Sequence, residues 1–236
     1  MSIAENIAVI RSQMEAAAIA CGRDPKEIQL CAATKMNDAD AVRQAIAGGV
    51  DCCGENRVQE LVQKSRENAY EGAPVHFIGH LQTNKVKQVV GHVDLIQSVD
   101  RLNLLEAVQK EAAKQAITQD ILLEVNIGNE ESKSGFDISD ILPLLEHISD
   151  FPNIRVRGLM AIPPISQNPG DNRKFFQEMF NLSVDIMRKK YDNVTMDCLS
   201  MGMSDDYVDA IACGSTMIRV GTAIFGARDY TTLHHQ

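Results

Sequence analysis

Residues 28–35 read Ile28-Gln29-Leu30-Cys31-Ala32-Ala33-Thr34-Lys35. From Ile28 to Thr34 the run is apolar or small, and it ends at a charge. Seven residues are too few for a packed helix, so the pattern predicts a buried strand, Ile28–Thr34, that stops at Lys35. A short strand with an almost unbroken apolar run fits a parallel sheet covered on both faces. Asp38 then supplies an N-cap for a helix that runs to the Gly48-Gly49 stop.

The same unit repeats outward from there. Strands are expected at Val50–Gly54, Val75–Gly79, Val93–Val99, Asp120–Ile127, Ile154–Ile162, Thr195–Ser200 and Met217–Val220. Helices are expected between them at Glu55–Tyr70, Thr83–Val90, Arg101–Gln115, Asp137–His147, Asn172–Tyr191 and Ser204–Cys213, the last with Asp205 and Asp206 in its first turn. About eight strands alternating with helices predict an α/β fold: a single (β/α)8 TIM barrel, with an open doubly wound sheet as the alternative. Ahead of the first strand, Ile3, Ile7, Ile10, Met14 and Ala17 keep helical spacing, which adds an extra N-terminal helix. No linker or low-complexity segment divides residues 1–236, so one domain is expected.

Composition narrows the partners. The chain has 236 residues with 23 Lys+Arg against 32 Asp+Glu, a formal charge of −9. An acidic balance argues against nucleic acid or an anionic membrane as the main partner, though not against a local basic pocket. Charges at Glu5, Arg11 and Glu15 interrupt any signal-peptide core, and no segment approaches the ~18 apolar residues of a membrane span. A cytoplasmic protein is expected. Cys21, Cys31, Cys52, Cys53, Cys198 and Cys213 form no Cys-x-x-Cys pair, so they read as small buried hydrophobes rather than as metal ligands. His76 and His80 are four apart but flank a strand, and no Glu sits beside the first as in a metalloprotease helix, so no metal is expected.

In a parallel barrel chemistry collects where strands end. Lys35 follows the first strand. A lysine at the barrel mouth, stem against the core and partly desolvated, is a candidate imine-forming amine, or else a snorkelling side chain. Ser200-Met201-Gly202-Met203-Ser204 follows the seventh strand and Arg219-Val220-Gly221-Thr222 ends the eighth. Loops after those two strands commonly bind phosphate through backbone amides, glycine and hydroxyls, although Gly, Ser and Thr also suit ordinary turns. A phosphate site beside such a lysine fits either a Schiff-base aldolase acting on a sugar phosphate or bound pyridoxal 5'-phosphate. An arginine facing the pyridine nitrogen, as Arg219 could, opposes its protonation and weakens the electron sink. Asn56, His80, Asn84 and Met160 are expected near strand ends, where they could line the pocket.

The motifs Ala33-Thr34-Lys35, Gly54-Glu55-Asn56, His76 to Lys85, Gly158 to Pro163, Leu199 to Asp206 and Gly214 to Gly226 resemble the pyridoxal phosphate homeostasis protein family in order and over nearly the whole chain. The resemblance implies a barrel like that of alanine racemase (fold type III). It also implies pyridoxal 5'-phosphate held on Lys35 as an internal aldimine, phosphate bound by Ser200, Gly221 and Thr222, and Arg219 near the pyridine nitrogen. Asn56 is carried as a further cofactor-binding residue. Met36-Asn37-Asp38 replaces the family's commoner Thr-Lys-Pro, and Arg57 stands where Tyr is frequent, which leaves the approach to the pocket open. The implied function is vitamin B6 homeostasis without catalysis, with no catalytic residue and PLP-dependent apoenzymes as partners. A small racemase-like enzyme is the alternative. Racemisation in alanine racemase takes its second base, a Tyr, from an additional β domain, and about ten residues follow Gly226 here. The expectation is therefore a carrier, and a monomer.

Overall fold

The computed structural model describes residues 1–128, 130, 134–165 and 168–226. Helix α1 (Ile3–Ala20) leads into β1 (Gln29–Ala33), α2 (Ala39–Ala47), β2 (Cys52–Glu55), α3 (Val58–Arg66) and β3 (Val75–Phe77). Strand β4 (Leu95–Val99) follows, then α4 (Leu102–Lys114), β5 (Gln119–Val125), α5 (Ile138–Glu146), β6 (Ile154–Ala161) and α6 (Arg173–Lys189). The described chain ends with β7 (Val194–Ser200), α7 (Tyr207–Ala212), β8 (Met217–Val220) and α8 (Thr222–Phe225). All strands are parallel, neighbours follow chain order, and β8 returns to β1 through pairs such as Cys31↔Arg219. This is the expected closed barrel. Among the described residues, no helix is long and apolar enough to cross a membrane.

Three expected elements differ, each for a local reason. The helix expected at Thr83–Val90 is a 3-10 segment, Thr83–Gln88. Its amides bond three residues back, Lys85 to the Gln82 carbonyl (2.9 Å) and Val89 to that of Val86 (3.0 Å), and turns this tight run for only a few residues. Glu55, expected to open a helix, is instead the last residue of β2 and wholly buried. The helix expected from Ser204 begins at Tyr207, and Asp206 accepts from the Met203 amide (2.7 Å) to tie the preceding loop. Asp38 behaves as expected: its carboxylate accepts from the Ala41 amide at 2.8 Å.

Helix α1 starts with a capping box in which Ser2 and Glu5 bind each other's amides. Its apolar stripe, Ile7, Ile10, Met14 and Ala18, packs with Tyr207, Ile211 and Ile224 against the seam where β8 meets β1. Asn6 Nδ2 donates to the Ile224 carbonyl (2.8 Å), and Arg23 Nη1 to those of Ile211 and Ser215 (both 2.8 Å). The added helix thus braces the short strand that carries Arg219. On the far side a register shift between Val156 and Gly158 bends β6. Gly158 has φ +156°, and a Cβ there would lie 1.7 Å from the Cys198 carbonyl oxygen, so only glycine fits.

Candidate functional site

Lys35 emerges at the C-terminal mouth, half-buried, from a backbone pinned on both sides. Behind it, Thr34 is buried and its hydroxyl donates to the Gly54 carbonyl (3.2 Å) and to Glu55 Oε1. Lys64 Nζ donates to the Thr34 carbonyl (2.7 Å) and to Glu55 Oε1 (2.8 Å), and the Tyr70 hydroxyl donates to the same oxygen (3.2 Å). Ahead of it, Met36 takes the left-handed conformation (φ 62°) with its amide on Glu60 Oε2 at 2.7 Å. The buried Lys64–Glu55 pair therefore fixes the peptide from which Lys35 projects. Burial pushes the Glu55 carboxyl up, against the pull of Lys64.

Lys35 shares one cavity of 210 Å³ with Asn56, Arg219, Gly221, Thr222, Ser204 and Asp205. A neighbouring cavity of 320 Å³ shares Asn56, Ile78 and Ile162 with it and adds His80, Glu124 and Ser134. Five of the six expected residues thus meet at one mouth. Asn56 Oδ1 is buried there with no hydrogen-bond partner among the described residues. Buried polar atoms are almost always satisfied, so this acceptor marks a place for a polar ligand or water. Gly221 and Thr222 open α8, where the Ile224 and Phe225 amides donate to the Gly221 carbonyl (2.9 and 3.0 Å).

Ser200 is placed differently from the expectation. Its side chain is wholly buried inside the barrel and does not line the cavity. Ser200 Oγ donates to Gln97 Oε1 (2.6 Å) and accepts from Arg219 Nη1 (2.6 Å). Arg219 also donates to the carbonyls of Ser200 (2.8 Å) and Ala161 (2.9 Å). These bonds hold a buried guanidinium, whose pKa desolvation lowers, with one face on the cavity. At ordinary pH it keeps its charge.

Five other residues named from the sequence are placed as follows. His80 lines the second cavity, its Nδ1 3.2 Å from Asp100 Oδ2. Met160 is buried below the site, while Asn84 and Arg57 are exposed and line neither cavity. His76 does not converge with His80. It faces the barrel interior, where its imidazole and the sulfurs of Cys31 and Cys52 lie within 4.8 Å of one another. Their spacing along the chain carried no sign of this grouping.

Glu124 was not expected. It lines the second cavity and is 8% exposed, and burial together with nearby Asp100 lifts its pKa to about 7, against the pull of Arg219 and Arg101. Its signal was a carboxylate at the inward period of an apolar strand, two residues after Leu122. Lys64 gave a similar one, three residues after Leu61 on the buried helix face.

Residues 2–229 match the family described as "Alanine racemase, N-terminal domain". Over 230 residues the chain is 40% identical to a pyridoxal phosphate homeostasis protein of Aquifex aeolicus, spanning 98% of this chain and 100% of that one. The Escherichia coli K12 protein of the same name is 41% identical over 233 residues, 97% and 98% of the two chains. The chain belongs to the pyridoxal phosphate homeostasis protein family. Among solved structures, PipY of Synechococcus elongatus with PLP bound superposes with a TM-score of 0.82 at 32% identity, covering 95% of this chain and all of that one. An alanine racemase of Streptomyces lavendulae shares the fold at 14% identity, TM-score 0.71, covering 95% of this chain and 58% of that one.

Proposed function

We propose that this family member binds pyridoxal 5'-phosphate at the C-terminal mouth, holds it covalently on Lys35, and serves cofactor balance in the cytoplasm as a monomer that hands the cofactor to PLP-dependent apoenzymes. The observation that carries this is the single cavity uniting Lys35, Asn56, Arg219, Gly221 and Thr222, in a relative of a protein whose structure holds PLP. When bound, the cofactor supplies a reactive aldehyde and a ring that accepts electrons. Gly221, Thr222 and Ser204 take the phosphate through hydroxyls and first-turn amides. Arg219 would lie beside the ring nitrogen and, as a permanent cation, would oppose its protonation, since like charges raise the cost of a pyridinium. Ser200 acts one step back, orienting Arg219.

Non-catalytic binding is favoured by what surrounds Lys35. Of the described tyrosines, Tyr70 donates to Glu55, Tyr207 contacts Gln13, and neither they nor Tyr191 lines the two mouth cavities. One observation favours the second reading, a racemase-like enzyme: Glu124, with a pKa near 7, is the carboxylate suited to move a proton there. Purified protein should show a visible absorbance band that Lys35→Ala abolishes. A colourless wild type that also takes up no added cofactor rejects both readings. Incubation with L-amino acids in deuterium oxide separates them. Accumulation of deuterated D-isomer, lost in Glu124→Gln, would establish the enzyme.

A further inference from the structure

The barrel interior holds a second constellation, below the mouth. Cys31 and Cys52 are register partners on β1 and β2, and His76 projects from β3 beside them. The Cys52 sulfur is 3.5 Å from His76 Nδ1, and all three donor atoms lie within 4.8 Å of one another. We propose that Cys31, Cys52 and His76 form a binding site for a soft d10 cation, Zn²⁺ or Cu⁺.

Metal–sulfur bonds of about 2.3 Å and metal–nitrogen bonds of about 2.0 Å set ligand atoms roughly 3.5–4 Å apart. The three donors need shifts of only about 1 Å to reach that spacing. Thiolate and imidazole together select soft ions over Mg²⁺ or Ca²⁺. Three ligands complete a trigonal Cu⁺ site or leave one position of a tetrahedral Zn²⁺ site to water, and Cys198 and Met217 pack in the same buried cluster.

The surroundings suit a cation. Burial holds the His76 pKa down at about 4, so its imidazole is neutral and ligand-ready at pH 7. Gln97 Nε2 donates to Nδ1 (2.9 Å), which places the ring proton on Nε2. An ion taken by Nδ1 displaces that amide. A bound ion takes both cysteines as thiolates and releases two protons to solvent, against the hydrogen bond with Cys31 and the burial that hold the Cys52 thiol up. Arg219, paired with Cys31 on β8, offsets the negative charge left by two thiolates on Cu⁺. A route exists from the opposite mouth. A 480 Å³ cavity at the strand N-termini is lined by His76, Cys198 and Met217, with Asp94, Asp120 and Asp197 around it.

Sequence spacing hides this set because its members come from three strands. Only the closed sheet brings Cys31, Cys52 and His76 together.

The test is titration of the protein, both cofactor-loaded and cofactor-free, with Zn²⁺ against a chromophoric chelator and, anaerobically, with Cu⁺ against bicinchoninate. One equivalent of one ion should bind, weakening by at least roughly 100-fold in Cys31→Ser, Cys52→Ser and His76→Gln. It should persist in Cys21→Ser, in Cys213→Ser, in a His234→Ala/His235→Ala variant, and in Lys35→Ala. The last separates this site from the cofactor reading. Should an interior variant fail to fold, metal-edge X-ray absorption of the loaded wild type reads the ligands directly. At least two sulfurs with one imidazole support the site. Binding of neither ion, an oxygen–nitrogen shell, or loss of binding only in the His234→Ala/His235→Ala variant overturns it.

Discussion

Replacing Glu124 by Gln isolates the energetic cost of a carboxylate built into a barrel mouth. The side chain is 8% exposed and titrates at about 7 in the folded chain, against an ordinary 4.5. An acid whose pKa is raised on folding binds more protons folded than unfolded between those two values, so stability falls as pH rises through that window. The native state favours the neutral acid and ionisation opposes folding. A displacement of that size corresponds to about 3 kcal/mol once both states are ionised. At pH 5 only about 1 kcal/mol of this has developed, because just the unfolded chain has begun to ionise. Gln keeps the shape and cannot ionise. In urea denaturation without added cofactor, the stability of Glu124→Gln over wild type should therefore grow by about 2.5 kcal/mol from pH 5 to pH 8. An unchanged difference across that range would show that Glu124 is already ionised in the folded protein at pH 5, and that Arg219 outweighs burial.

Other perturbations have equally definite outcomes. Lys64→Met strips the partner from wholly buried Glu55 and should cost about 3–5 kcal/mol, whereas Glu55→Gln/Lys64→Met should cost clearly less. Equal losses in the two variants by chemical denaturation would remove the ion pair from the explanation. Arg219→Ala leaves the carbonyls of Ser200 and Ala161 without their donor. It should lower stability by several kcal/mol as well as alter the spectrum of bound cofactor, and an unaltered spectrum would dissociate Arg219 from the ring. Gly158→Ala drives a methyl into the Cys198 carbonyl and should yield insoluble or unfolded chain on expression. A soluble variant with wild-type circular dichroism would show that β6 can relax there.

The barrel was legible because its signal is repeated. Short apolar runs such as Leu30–Ala33 and Ile121–Leu123, each followed by a helical stripe, constrain one another through closure. Lys35 and Thr222 were legible for a related reason, since position after a strand already places a side chain at the mouth. Ser200 lies deeper than the rule for strand ends conveys, because that rule does not say which way the last residue points. As the last residue of β7 it turns inward, where Gln97 and Arg219 engage it. Glu55 was lost to a helix because a charge after Gly54 looks like a first turn. What keeps it in the strand is Lys64, nine residues away and itself inconspicuous. The partners of a buried charge are set by packing across elements, and local spacing does not encode them.

Arg219, Ser200, Gln97 and His76 form one continuous chain of hydrogen bonds through the barrel. Each bond settles the next. Arg219 can only donate, so Ser200 Oγ accepts from it and must send its own proton to Gln97 Oε1. That fixes the Gln97 amide with its Nε2 turned toward His76 and Met217. The imidazole then has one tautomer compatible with its neighbour. A polar column of this kind is costly to leave half-satisfied in a low-dielectric interior, and its members therefore hold one another in a single arrangement. The guanidinium at the C-terminal mouth is in this way oriented by residues that never reach the mouth. A perturbation at His76, near the opposite end, has a physical route to Arg219 that passes through no backbone movement at all.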